Sequence, residues 1–214
     1  MSTEAVSPRR AVTREKLCVA AMEVIAEKGV LGASVEAICD AAGFTRGAFY
    51  SNFSSRDELC VAIMERQLQR NLAALAGTVA LAAGATTTDE LVDGAVRTFL
   101  ATQPSDRTSV LVSQELQLYA AREPEFAPAY SAMHRRGLDT VARVLTDALA
   151  GLAHELSTSP TQAMGILFAV FTHGEVTALI DGDHLDNAQR TERLTQVVRS
   201  LVRPVSRVSC STGR

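Results

Sequence analysis

Apolar residues recur along this chain at intervals of three and four, and nowhere in the strict alternation that a half-buried strand requires. That period restricts the fold to packed helices, and the expected class is all-α. Local punctuation divides the pattern. Thr13 is a candidate N-cap for a helix carrying Leu17, Ala20, Ala21, Val24 and Ile25 on one face, with Gly29 placed to end it in a left-handed conformation. Ser34 can cap a short helix bearing Val35, Ile38 and Ala42 that stops at Gly43, and Thr45 can cap another bearing Phe49, Tyr50 and Phe53. Ser55 followed by Glu58 reads as a capping box, opening a helix with Leu59, Ile63, Met64 and Leu68 that extends past residue 75.

Beyond an uncharged Gly/Ala/Thr stretch over 76–88, helices are expected at 89–103, 106–122, 125–153, 160–181 and 187–203. The tail from Pro204 is expected to fray. The implied organisation is a helix-turn-helix domain over 10–58, a connecting helix and loop over 59–88, a larger helical domain over 89–203 and a flexible tail over 204–214. With 214 residues and 47% of them apolar, there is ample material for these cores.

The segment from Ser34 to Phe53 carries the chemistry. Gly43 sits where two short helices must turn sharply, and a side chain in a left-handed conformation there would cost about 1–2 kcal/mol. Ile38, Ala42, Phe49 and Phe53 can close a small core against the first helix, leaving Arg46, Gly47, Tyr50, Ser51 and Asn52 to face outward. Such a face suits a DNA groove: Thr45 and the N–H groups behind it can meet phosphate, Gly47 permits close backbone approach, and Tyr50 can donate to a phosphate oxygen.

Net charge is −3, so contact with nucleic acid must come from a local patch. Positions 41–56 hold Arg46 and Arg56 and no acid, and an arm over 5–14 holds Arg9, Arg10 and Arg14 and no acid.

Other classes fit poorly. Cys18, Cys39, Cys60 and Cys210 form no C-x-x-C, one falls on each of the first, second and fourth helices as a small buried hydrophobe, and a reducing cytoplasm is the expected location. No signal-peptide core is expected in the run Leu17–Met22. The apolar run Gly165–Ile180 carries His173 and Glu175, so no membrane span is expected. His134, His154, His173 and His184 are scattered, and there is no phosphate loop or nucleophile elbow, so neither metal, cofactor nor enzymatic activity is expected.

From Thr13 to about Leu59 the chain resembles the tetracycline-repressor (TetR/AcrR) family of bacterial transcription regulators. The resemblance rests on Thr13-Arg14-Glu15, Ala20-Ala21, Ala26-Glu27-Lys28-Gly29, Ser34-Val35 with Ile38, Ala41-Ala42-Gly43, Gly47-Ala48-Phe49-Tyr50 and Asn52-Phe53-Ser54-Ser55-Arg56-Asp57-Glu58-Leu59. Asn52 and Arg56 stand where the family more often has His and Lys. Both replacements keep a group able to reach phosphate, although Arg brings a planar fork. The resemblance implies a DNA-binding site at Ser34, Val35, Thr45, Arg46, Gly47, Tyr50, Ser51, Asn52 and Arg56, assisted by Arg9 and Arg10. It further implies a ligand-responsive repressor that binds a palindromic operator as a dimer. The alternative is a small-molecule-binding helical protein that has lost operator binding.

Such a family carries a divergent C-terminal helical domain that dimerises and in many members holds an effector pocket. The run from Val112 to Phe126, with Glu115, Tyr119, Arg122 and Pro124, resembles a common version of the family's sixth helix and turn. Leu194, Val197, Val198, Leu201 and Val202 make the last helix amphipathic, while the helix before it is apolar almost all round. One chain is not expected to cover both, so a homodimer through about 160–203 follows. An unidentified small-molecule effector is expected between helices five and eight. Candidates are Phe99, Glu115, Tyr119, Met133, Phe168, Phe171 and His173, against the alternative that the aromatic and Met side chains are plain core. Glu115 is expected to pair with Arg122 or Arg136 rather than with a ligand.

Overall fold

A computed structural model of the chain describes residues 8–82, 86–103, 105–182 and 186–205. Its elements are α1 (Pro8–Gly32), α2 (Val35–Ala42), α3 (Arg46–Tyr50), α4 (Arg56–Ala82), α5 (Thr88–Thr102), α6 (Arg107–Arg122), α7 (Ala127–Gly151), β1 (His154–Leu156), α8 (Pro160–Asp181), α9 (Asn187–Leu201) and β2 (Val202–Pro204). The fold is all-α as expected, with one short two-stranded ribbon. The expected tail beyond residue 205, Cys210 and His184 lie outside the described residues.

The helices form two compact units, Met1–Arg70 with Pro104–His134, and Asn71–Gln103 with Arg135–Arg214. Each unit is assembled from two stretches of chain where the sequence reading draws contiguous domains. In the first unit, α1 packs on α2 and, more extensively, on α6. Leu17, Ile25, Ile38, Phe49, Phe53, Leu59, Leu116 and Phe126 meet in one core. Each such side chain contributes about 1.5–3 kcal/mol by leaving water.

α1 differs from expectation at both ends. It opens at Pro8 rather than Thr13, because proline fixes a helical φ and loses no bond at a helix start. Arg9 and Arg10 therefore lie on the first turn of a helix and not on an arm, and Thr13, inside that helix, donates its hydroxyl to the Arg9 carbonyl at 3.1 Å. At the far end Gly29 takes φ 71°, ψ 167°, a kink after which the helix resumes to Gly32. A Cβ on Gly29 would stand 2.7 Å from Glu115 Oε2, the far end of a flexible side chain that can move aside, so it is the backbone conformation that requires glycine here.

In the second unit, Leu91, Val96, Leu145, Leu149, Met164, Leu167, Phe171, Leu194 and Val198 form the core. The apolar stripe of α9 is covered within the chain by α5 and α8, which corrects the expectation that it needs an external partner. Arg190 of α9 forms a two-pronged ion pair with Glu175 of α8, Nε to Oε1 at 2.6 Å and Nη2 to Oε2 at 2.9 Å. By length and composition α8 could cross a membrane. Its Glu175 is only 4% exposed, however, and is satisfied by Arg190, while Ala163, Met164, Leu167, Phe171 and Ala178 bury one face. The other face leaves Ile166 and Ile180 exposed.

α9 ends at Leu201, two residues earlier than expected. Val202–Pro204 pairs antiparallel with His154–Leu156, in the register His154↔Pro204, Glu155↔Arg203 and Leu156↔Val202. An Arg203–Glu155 ion pair at 2.9 Å crosses the ribbon.

Candidate nucleic-acid interface

The α2–turn–α3 segment is built by its own caps. Ser34 Oγ accepts from the Ala37 N–H at 3.1 Å and opens α2. Gly43, at φ 69° and ψ 32°, closes it in the left-handed region, and its N–H and that of Phe44 donate to the Asp40 and Cys39 carbonyls. Thr45 Oγ1 then accepts from the Ala48 N–H at 3.2 Å and opens α3. Phe49 is fully buried and meets Tyr50 edge-on at 5.3 Å, so the anchoring ring also steadies the outward one.

This geometry presents Ser34, Thr45, Arg46, Gly47, Tyr50 and Ser51 to solvent on one short segment. Tyr50 is 51% exposed. Arg46 Nη1 lies 2.5 Å from Glu36 Oε1, so the patch free of acids in sequence acquires one from α2 in space. Hydrogen bonding to Tyr50, then the Glu36 charge, holds the Arg46 pKa above its ordinary value. Ser51 returns its hydroxyl to the Ala48 carbonyl at 2.9 Å. Arg9 and Arg10 are exposed, whereas Val35 is half-buried against the core.

Asn52 does not face outward as expected, and Arg56, expected to reach phosphate, is engaged within the chain. Asn52 is 6% exposed. Its amide donates to the Ala48 carbonyl at 2.8 Å, and its own backbone carbonyl accepts from Arg14. Arg56 is half-buried, bonds the Leu31 carbonyl at 3.3 Å and lies over the Tyr119 ring at 5.6 Å. Arg14, grouped by sequence with the arm, sits 4.1 Å over the Phe53 ring and 3.4 Å from Glu58. It works as an internal clamp from α1 to the turn before α4. Sequence reasoning missed it because both partners lie far along the chain.

Glu58 makes half of the expected capping box. Its N–H donates to Ser55 Oγ at 3.1 Å, but its carboxylate accepts from the N–H and hydroxyl of Ser54, one residue further back. Those bonds, with Arg14, hold its pKa below the ordinary glutamate value.

The effector candidates fall in both units. Phe99 and Phe171 meet edge-on at 5.6 Å, with Phe168 half-buried and His173 exposed on the same helix as Phe171. Glu115, Tyr119 and Met133 belong to the other unit. Tyr119 donates its hydroxyl to Asp57 Oδ1 at 2.7 Å, and burial raises its pKa. Glu115 does not pair with Arg122 or Arg136: its carboxylate lies against Gly29, with no ion pair to it among the described residues.

A capped two-helix head with a glycine turn and an exposed Thr-Arg-Gly…Tyr edge, followed by a larger helical body, defines a helix-turn-helix protein. Residues 17–63 match the family described as bacterial regulatory proteins, tetR family. Over 63 residues it is 44% identical to the uncharacterised HTH-type transcriptional regulator YvdT of Bacillus subtilis (strain 168), a match spanning 29% of this chain and about a third, 32%, of that one. A TetR-family member from Streptomyces coelicolor A3 shares the fold at TM-score 0.62 and 24% identity, covering 86% of this chain and 97% of that one. The multidrug binding protein EbrR, solved with imidazole, does so at TM-score 0.57 and 24% identity, over 92% and 96%.

Proposed function

We propose that this protein is a cytoplasmic DNA-binding transcription regulator, a ligand-responsive repressor that binds a palindromic operator as a homodimer. The observation that carries the reading is the exposed edge of Thr45, Arg46, Gly47 and Tyr50, held rigidly by two side-chain caps and a buried Phe49. Thr45 and Tyr50 serve phosphate, Gly47 lets the backbone come close, and Arg46 exchanges its Glu36 partner for the groove. Ser34 and Ser51 flank the contact, and Arg9 and Arg10 add cationic charge.

Ligand response is supported by the likeness in fold to EbrR, a multidrug binding protein, and the aromatic pair Phe99 and Phe171, in edge contact between α5 and α8, is where the apolar effector is placed. Dimerisation through 160–203 is supported by the exposed apolar side of α8.

Fluorescence anisotropy with duplex DNA flanking the protein's own gene tests the reading. Tight, salt-sensitive binding by the wild type and its loss in Tyr50→Ala and Arg46→Ala, with circular dichroism unchanged, is the expected result. No binding by any duplex above the non-specific level leaves the chain a helical small-molecule binder. For the effector, Phe171→Ala in a variant that stays folded should alter ligand-induced release more than ligand-free affinity for DNA.

A further inference from the structure

A groove of about 800 Å3 runs between α5 and α9 in the second unit. At one end Arg199 reaches Asp89 at 3.1 Å and Asp93 at 4.0 Å. One turn along α5 from Asp93 stands Arg97, and one turn back along α9 from Arg199 stands Thr195; both line the groove. Thr195 is 7% exposed, and its Oγ1 is buried with no hydrogen-bond partner. Thr13, Thr140, Thr146 and Thr191 each donate to the carbonyl four residues earlier in their helix. Thr195 forgoes that local bond, and a buried hydroxyl left in this way is destabilising until something bonds it. The groove between α5 and α9 therefore includes, among its lining residues, one with an unmet buried hydroxyl.

The charges of the lining narrow what can meet it. Arg199 is taken up by Asp89 and, at longer range, Asp93, whereas Arg97 and Glu192 have no ion-pair partner among the described residues. Leu100, Ala101 and Ala188 supply a small apolar surface beside them. A bare acid would place its charge near Glu192 and Asp93, and a bare amine would face Arg97. A molecule carrying both signs satisfies both free charges.

We propose that the α5–α9 groove binds a small zwitterion of the α-amino acid type with a short apolar side chain. Its carboxylate sits on Arg97 and the Thr195 hydroxyl, its ammonium on Glu192, and its side chain on Leu100, Ala101 and Ala188. The site is separate from the aromatic residues assigned to the apolar effector, and binding there does not depend on the protein recognising DNA.

Isothermal titration of the full chain with alanine, valine and leucine tests it, beside 4-methylpentanoate and 3-methylbutylamine, which are leucine without its amine and without its carboxylate. At least one amino acid should bind, and each single-charge compound should bind about tenfold more weakly or worse. Thr195→Val keeps the side-chain shape and should weaken binding severalfold with circular dichroism unchanged, and Arg97→Gln should abolish it. Failure of all three amino acids at millimolar concentration overturns the proposal. So does equal binding of either single-charge compound, or undiminished binding in both variants. A shift of the monomer–dimer equilibrium in Thr195→Val without zwitterion binding assigns the groove to a second copy, and overturns it too.

Discussion

Glycines 29 and 43 both have positive φ, yet they answer to different constraints. Gly43 is in the ordinary left-handed region with open space around it, so Gly43→Asn should destabilise by about 1 kcal/mol or less. Gly29, at ψ 167°, occupies a region that side-chain-bearing residues essentially do not enter, while its Cβ position meets only the movable end of Glu115. Gly29→Ala should therefore cost about 1–3 kcal/mol in chemical denaturation, and pairing it with Glu115→Ala should restore little of that loss. Equal losses at the two glycines would show that the unusual ψ of Gly29 adds no strain. The thiols illustrate how burial decides chemistry. Desolvation pushes Cys18 to about 11 and Cys60 to about 12, so neither is a thiolate near neutral pH. The folded protein should leave both unreactive toward a disulfide reagent at about pH 8, with full reaction only on unfolding; rapid native-state labelling of either would indicate a redox role.

At the scale of elements, the capped segments were legible and the long-range ones were not. Ser34, Gly43 and Thr45 act within three or four residues, so their roles could be read from spacing alone. Asn52 reads as exposed from its local spacing because its burial depends on Arg14, 38 positions away, and the packing of Arg56 is illegible there because its partners Leu31 and Tyr119 come from two other segments. The β1–β2 ribbon joins stretches 48 residues apart through backbone bonds, which no local apolar period announces. α4 offers a test of a local effect. Because the folded-state pKa of Glu58 lies below its unfolded value, its cap stabilises fully above about pH 4.3, the ordinary glutamate value, and that stability is lost as pH falls through the lower folded value. Glu58→Gln should lower Tm near neutral pH, and the gap from wild type should close in acid. A gap constant with pH would show that Ser54 is held by shape and not by charge.

For the whole molecule, the question is what covers the outer side of α8. Its inner face is buried against its own chain, and α9 is already occupied by α5 and α8, so the unmet surface is narrow. Ile166, Ala169, His173 and Ile180 recur at helical spacing on that side, and Ile180 is 78% exposed. A two-fold partner presenting the same stripe would bury both copies. Two reading heads must also sit about 34–36 Å apart to enter successive major grooves, so coupling two weak half-site contacts can raise affinity by about 10²–10⁴. The variant Ile166→Glu/Ile180→Glu should therefore convert a dimer to a monomer in light scattering while changing its circular dichroism little, since both side chains are exposed. Its affinity for a full operator should drop by about that same factor, toward the value for a single half-site. A double variant that stays dimeric places the interface elsewhere. A monomer that binds the operator as tightly as wild type means that one head suffices, and the two-fold reading of the site is wrong.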